Sequence, residues 1–146
     1  MKKMLSALLL AVSSVATLVA APENWFTDYE VAAKRAVREK LPMLVLFTGS
    51  DWCPGCIALG KRTLSTAEFK EFAKNNLILV YLDSPRNPPL TADQRRKLAA
   101  AAEKLQPGPY VPTSVIVSPE GKVLARIVGY KSTADYIAAI KGALKK

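Results

Sequence analysis

The stretch FTGSDWCPGC, residues Phe47 to Cys56, contains both cysteines of the 146-residue chain. It overlaps the end of MLVLF, Met43 to Phe47, a continuous apolar run typical of a strand that is buried on both faces of a sheet. Pro54 suits the first position of a helix, where its missing N–H would have no intrahelical partner. The sequence therefore predicts a dithiol at the C-terminal end of a central strand, where a helix begins.

This position predicts the chemistry of the two thiols. A helix N-terminus presents backbone N–H groups without partners and the positive end of the helix dipole, and both stabilise a thiolate relative to a thiol. With Cys53 at the cap, we expect its pKa to be lowered, whereas the pKa of the more buried Cys56 is not lowered by the same means. Cys53 is therefore predicted to attack a partner's disulfide, and Cys56 to resolve the mixed disulfide.

Two other uses of the cysteine pair remain open from the residues alone. A structural zinc ion needs about four ligands. The chain has two cysteines and no histidine, so such a site would have to be shared between two chains. A purely structural disulfide between cysteines this close closes a small loop, and it would add less stability than a long-range bridge. The absence of histidine also excludes Cys-His and Ser-His-Asp catalysis, which need an imidazole base.

The N-terminal residues MKKMLSALLLAVSSVATLVAAP have the pattern of a secretory signal peptide, with two lysines, an apolar run over 4–19 and small residues at Ala20 and Ala21. We predict a signal peptide over 1–21 and one domain over 22–146, with an uncleaved membrane anchor as the alternative. After cleavage no segment is long and apolar enough to span a bilayer. The protein is then expected to be periplasmic or secreted, where disulfides persist.

The chain is basic, with a formal net charge of +9. Basic residues gather at 34–40, 61–62 and 95–97, and each cluster is interpreted as the solvated face of a helix. Docking to an acidic partner or an anionic membrane surface is the alternative interpretation. Nucleic acid is not an expected partner, because no aromatic platform is interleaved with the basic residues.

Helical and strand patterns alternate along the chain. Alternating strands and helices indicate parallel βαβ units, and two final strands joined by a short turn add an antiparallel pair. The predicted fold class is therefore α/β, with a central mixed sheet flanked by helices and an added N-terminal helix. The predicted order is helix 24–40 with Thr27 or Asp28 available as its cap, strand 43–47, helix 54–75 with a possible break at 65–66, strand 77–83, helix 91–105, strands 113–118 and 123–129, and a C-terminal helix capped by Ser132 or Thr133.

WCPGC at the end of an apolar strand, followed by VPTSVIV at 111–117, resembles the thioredoxin superfamily, and FTGSDWC followed by STAEFKEFAKNNLILVYLD is similar to its periplasmic thioredoxin-like branch. The resemblance implies a thioredoxin fold and a thiol:disulfide oxidoreductase with Cys53 as nucleophile and Cys56 as resolving thiol. It implies no cofactor beyond the Cys53–Cys56 disulfide, and no metal. The implied partners are protein thiols and disulfides and a redox partner protein, and we expect a monomer.

The resemblance also implies a surface that contacts the substrate, made by Trp52, Pro54, Val111 and Pro112. Trp52 matches the family's aromatic residue before the first cysteine. Pro112 matches the proline that family members hold in cis beside the disulfide, and the Val111 backbone would then be available to pair with an extended substrate. An ordinary trans proline at the start of a strand is the alternative for Pro112.

Two departures from the family pattern bear on function. The motif places Pro54 before Gly55, the order of glutaredoxins and of the oxidant DsbA. We favour a reductase or electron carrier, with a disulfide-forming oxidase and a non-catalytic binding module with a structural disulfide as alternatives.

The buried acid that many thioredoxins carry in the preceding strand is replaced by Leu46 or Phe47. Nearby Asp51 is interpreted as a solvent-facing or capping residue rather than a proton relay.

Overall fold

A computed structural model describes residues 20–146, so the predicted signal peptide over 1–21 lies almost wholly outside the described residues. The helices and strands follow the alternation predicted from the sequence. In chain order they are α1 (Tyr29–Glu39), β1 (Met43–Thr48), α2 (Pro54–Leu59), α3 (Ala67–Asn76), β2 (Ile78–Asp83), α4 (Ala92–Leu105), β3 (Thr113–Val117), β4 (Val123–Val128) and α5 (Thr133–Leu144).

The strands form one mixed sheet in the order β2-β1-β3-β4. Strand β1 pairs in parallel with β2 and antiparallel with β3, and β3 pairs antiparallel with β4. All six residues of β1 are buried, as expected for a central strand with both faces covered. The predicted mixed sheet is confirmed, and the cysteine motif leaves it from the end of a central strand that is buried along its whole length.

Helices cover both faces of the sheet. Because side chains alternate along a strand, Val45 lies in one core with α1 and α4, whereas Leu44 and Leu46 lie in the other with α3 and α5. Phe69 of α3 and Ile140 of α5 are almost fully buried in this second core. The two layers hold β1 in place, and with it the start of the cysteine motif.

The first helix begins later than its sequence pattern predicts. It starts at Tyr29 instead of Asn24, and the Asp28 carboxylate caps it by accepting two backbone N–H groups. Before it, residues 23 and 24 form a turn and Phe26 forms a bridge with β2, in which the Phe26 N–H donates to the Leu79 carbonyl oxygen over 2.8 Å. Phe26 is not helical because its backbone pairs with the edge strand β2, whose backbone groups need partners.

The helical region after the motif is interrupted, as the sequence allowed. Helix α2 ends at Leu59, a wide π-helical turn covers Gly60–Leu64, and α3 begins after its cap Thr66. Within the turn, the buried Thr63 hydroxyl donates to the Lys131 carbonyl oxygen over 2.6 Å. This bond ties the helix that carries the cysteines to the loop after β4.

A buried hydroxyl pair gives a test of the packing. Ser114 of β3 and Tyr136 of α5 share a 2.6 Å hydrogen bond, and both are almost fully buried. Tyr136→Phe leaves the Ser114 hydroxyl without this partner, so we expect the free energy of unfolding in urea to fall by about 1–2 kcal/mol. Ser114→Ala should cost a similar amount. The double variant should cost less than the sum of both, and additive losses would contradict the shared bond.

Candidate active site

The two cysteines lie where the sequence predicts them. Cys53 is the N-cap of α2, Pro54 occupies the first turn, and Cys56 follows inside the helix. The two sulfurs are joined in a disulfide with 5.2 Å between the Cα atoms. Both cysteines are more than nine-tenths buried, whereas Pro54 is exposed at the surface. The disulfide therefore sits just beneath the surface, at the C-terminal edge of the sheet.

Each sulfur accepts a backbone N–H. The Cys56 N–H donates to Cys53 Sγ over 3.2 Å, which is the helix-cap interaction predicted for Cys53. The Gly49 N–H donates to Cys56 Sγ over 3.3 Å, an interaction that sequence reasoning missed because its donor lies in the turn before the helix. Hydrogen bonds to the charged form of a group favour that form. In the reduced protein this arrangement would favour a thiolate at either position.

The turn that carries Gly49 is fixed by a carboxylate from the neighbouring strand. Asp83 ends β2, and its Oδ1 accepts the Ser50 N–H over 2.9 Å while its Oδ2 accepts the Ser50 hydroxyl. In the parallel register, Asp83 lies beside Thr48 at the end of β1. Asp83 thus positions the turn. The sequence pattern that could have identified Asp83 is a carboxylate at the end of a strand predicted to run parallel to β1.

Pro112 lies directly against the cysteine motif. The Val111–Pro112 peptide bond is cis, as the resemblance implied. The Val111 carbonyl oxygen is 3.6 Å from Cys53 Sγ. A Cβ on Gly55 would meet Pro112 Cδ at 3.4 Å, so the proline ring packs closely on the motif. The start of β3 is therefore brought beside the disulfide.

Trp52 packs beside the motif and holds the loop over 84–90. Its indole N–H donates to the Ser84 carbonyl oxygen over 2.8 Å, and the Arg86 guanidinium carbon lies 4.7 Å from the centre of its ring. A Cβ on Gly49 would overlap the indole, so this glycine makes room for Trp52. The ring remains about one-third exposed (36%). It can therefore contact a partner while it supports the loop.

Asp51 does not cap α2, because Cys53 occupies that position. Its carboxylate instead accepts the Arg86 N–H over 3.0 Å and the Asn87 N–H over 2.9 Å. These bonds, that of Arg86 first, hold the pKa of Asp51 below its usual value. The side chain anchors the loop over 84–90. Leu46 and Phe47, at the position of the acid in many thioredoxins, are buried and apolar, as their sequence predicts.

Comparison with known proteins identifies the protein family to which this chain belongs. A family model described as a thioredoxin-like domain matches residues 29–144, and the chain belongs to this family. The chain is 33% identical over 129 residues to the disulfide bond reductase DsbH of Chlamydia pneumoniae, covering 87% of this chain and 76% of the relative. It is 29% identical over 131 residues to the thioredoxin-related protein DsbJ of Chlamydia pneumoniae, covering 86% of this chain and 37% of the relative.

A solved structure described as DsbH oxidoreductase matches with a TM-score of 0.74 and 30% identity, covering 88% of this chain and 92% of the other. The thioredoxin fold predicted from the sequence is confirmed. The protein is a thioredoxin-like thiol:disulfide oxidoreductase, and its redox group is the cysteine disulfide itself.

Among residues 20–146, we find no cluster of three or more side chains that could hold a metal ion. The helices of this region include none long and apolar enough to cross a membrane.

Gly49, before the cysteines, and Gly55, between them, allow a matched test of the packing around the motif. Gly49→Ala places a methyl group on the Trp52 indole, so we expect the ring to be displaced and the free energy of unfolding to fall by about 1–3 kcal/mol. Gly55→Ala is the control, since its Cβ makes only an ordinary contact with Pro112. Urea unfolding and tryptophan emission measure both effects. Equal changes in the two variants would contradict the tight contact at Gly49.

Proposed function

We propose that this protein is an exported disulfide reductase or electron carrier that acts on protein disulfides through Cys53 and Cys56. One observation carries the proposal: the disulfide caps a helix, and the carbonyl oxygen of Val111, the residue before the cis Pro112, lies 3.6 Å from Cys53 Sγ. The 33% identity to a protein named as a disulfide bond reductase supports the reducing direction.

The proposed reaction has two displacement steps. In the reduced protein, the Cys53 thiolate attacks one sulfur of the partner's disulfide, which forms a mixed disulfide and releases the other sulfur as a thiolate. The Cys56 thiolate then attacks Cys53 Sγ, which forms the Cys53–Cys56 disulfide and releases the second partner thiolate. Two electrons pass from the cysteine pair to the partner. The protons lost by Cys53 and Cys56 are balanced by those that the partner's thiolates take up from water.

Each sulfur has a backbone donor that suits its proposed role. The Cys56 N–H stabilises Cys53 as the attacking thiolate, and the Gly49 N–H stabilises Cys56 as the resolving thiolate. We propose that an extended segment of the partner lies along the Val111 backbone and contacts Trp52, Pro54 and Pro112. Such a segment would bring its cysteine to Cys53 in an orientation suited to attack.

We also propose where the protein acts. Residues 1–21 have the pattern of a signal peptide, and the family match begins at residue 29, beyond this segment. Cleavage would leave a single domain over 22–146 in the periplasm or outside the cell, acting as a monomer. A redox partner protein with its own dithiol would return the oxidised Cys53–Cys56 pair to the reduced state.

Single cysteine variants test the roles of the two thiols. Cys56→Ser should accumulate mixed disulfides with partner proteins, because the nucleophile is kept and the resolving thiol is lost. Cys53→Ser should accumulate none above background, since Cys56 lies inside α2 and it is Cys53 Sγ that faces the Val111 backbone. Non-reducing electrophoresis and mass spectrometry of the adducts measure both. Equal trapping by the two variants would contradict the assignment.

The reduction potential of the Cys53–Cys56 pair tests the direction. Equilibration in graded glutathione buffers, with free thiols counted, should give a value near that of thioredoxin, about −270 mV. A value near that of DsbA, about −120 mV, would instead indicate a disulfide-forming oxidase, the alternative suggested by the proline-first motif. A pair that stays oxidised throughout and does not react with any added dithiol would indicate a binding module with a structural disulfide.

A further inference from the structure

A cation lies over the aromatic side chain that precedes the first cysteine. The guanidinium carbon of Arg86 is 4.7 Å from the centre of the Trp52 ring, and Trp52 is the residue before Cys53. The contact suits an arginine, because a guanidinium is weakly hydrated and stacks on aromatic faces. Arg86 is exposed, so its charge is presented at the surface beside the cysteine motif.

The residues before the first cysteine also hold the backbone of Arg86. The two Asp51 carboxylate oxygens accept the Arg86 N–H over 3.0 and 3.1 Å, and one of them accepts the Asn87 N–H over 2.9 Å. The Trp52 indole N–H donates to the Ser84 carbonyl oxygen over 2.8 Å. The backbone of Arg86 and the ring on which its side chain lies are therefore fixed to one another. A charged group held in this way loses little conformational freedom when a partner binds it.

The Arg86 guanidinium has no carboxylate partner within residues 20–146, since it takes part in none of the ion pairs of this region. The nearby Asp51 carboxylate directs its oxygens at backbone N–H groups instead. The N–H of Arg86 is the largest cause of the lowered pKa of Asp51, and the Arg86 charge contributes less. The face of the Trp52 ring offers no oxygen acceptor, so the guanidinium N–H groups are available to an incoming carboxylate.

We propose that Arg86 binds a carboxylate side chain of the partner protein, carried on the same extended segment as the reacting cysteine. The inference rests on the proposed function and narrows its substrate class to disulfides with an acidic residue nearby in sequence. A guanidinium and a carboxylate form two parallel N–H···O bonds, so the contact orients the segment as well as attracting it. An extended chain rises about 3.3 Å per residue, so the acidic residue belongs within a few positions of the cysteine.

Matched peptide disulfides test the inference. Peptides that are identical except for Glu or Gln at one position react with the reduced protein in a single turnover, and this position is moved from three residues before the cysteine to three after it. Rates of the same peptides with dithiothreitol correct for the effect of the added charge on the disulfide itself. We expect the corrected second-order rate constant at low salt to be about threefold to fivefold higher for Glu at one or two positions, the gain of an exposed ion pair.

Salt gives a second measurement on the same peptides. The Glu-over-Gln ratio should fall to about one at about 1 M salt, where charges are screened beyond about 3 Å. Equal corrected rates for Glu and Gln at every position in low salt would overturn the inference alone. No exchange with any peptide would overturn the proposed function as well.

Variants of Arg86 separate this contact from the overall positive charge of the protein. Arg86→Gln should reduce the Glu-over-Gln ratio to about one, and Arg86→Glu should make a peptide with Lys at that position react faster than the Gln peptide. Arg38→Gln is the matched control, because Arg38 is exposed on α1, belongs to none of the ion pairs among the described residues and removes the same charge. It should keep the wild-type ratio.

Each variant is compared with itself on two peptides, so a general loss of stability does not mimic the result. A ratio that survives Arg86→Gln, or that Arg38→Gln lowers to the same extent, would assign the preference to the overall charge and overturn the inference.

Discussion

The burial of β1 on both faces constrains where chemistry can occur in this protein. A charged group inside that strand would lose its hydration without a partner, and Leu46 and Phe47 occupy its last positions before Thr48. Polar and reactive groups are therefore placed where the strand leaves the sheet. Because β2 runs parallel to β1, Asp83 reaches the same edge, and because β3 runs antiparallel, its first residues begin there after Pro112. The topology thus brings together residues 53, 83 and 112.

The features of the fold that the sequence predicts are those that depend on residues near one another in the chain. The apolar run before the motif, Pro54 after the first cysteine, and the caps Thr66 and Ser132 are local patterns, and the structure confirms each of them. Local patterns offer Asp28 as a cap of the first helix, but they do not predict that the residues before it, from Asn24, are outside the helix. The backbone of Phe26 pairs with β2, a strand some fifty residues further along the chain. The contacts of Gly49 with Cys56 and of Ser50 with Asp83 are missed for a related reason, since both depend on how the turn is held after the sheet has formed.

The amino-acid composition of the loop over 84–90 explains which of its backbone groups hold it in place. Pro85, Pro88 and Pro89 have no backbone N–H, so the loop has few donors with which to hold its position. The N–H groups of Arg86 and Asn87 lie between these prolines, and both donate to Asp51. The sequence pattern suggested that Asp51 is a solvent-facing or capping residue of the helix. Its structural role is instead to fix the loop over 84–90 against the motif.

The donors at the two sulfurs bear on how Cys56 would act as the proposed resolving thiol without a buried acid in the preceding strand. A carboxylate in the strand would change its charge with pH, and its effect on a nearby thiol would change as well. The Gly49 N–H does not titrate in the range where cysteines do, so its stabilisation of a Cys56 thiolate is the same at every pH at which the turn is intact. Asp83 contributes to this contact by holding Ser50, the residue next to Gly49, whose N–H donates to the sulfur. A fixed backbone dipole thus stabilises the thiolate without a titrating side chain, which is consistent with a β1 strand that is apolar from Met43 to Phe47.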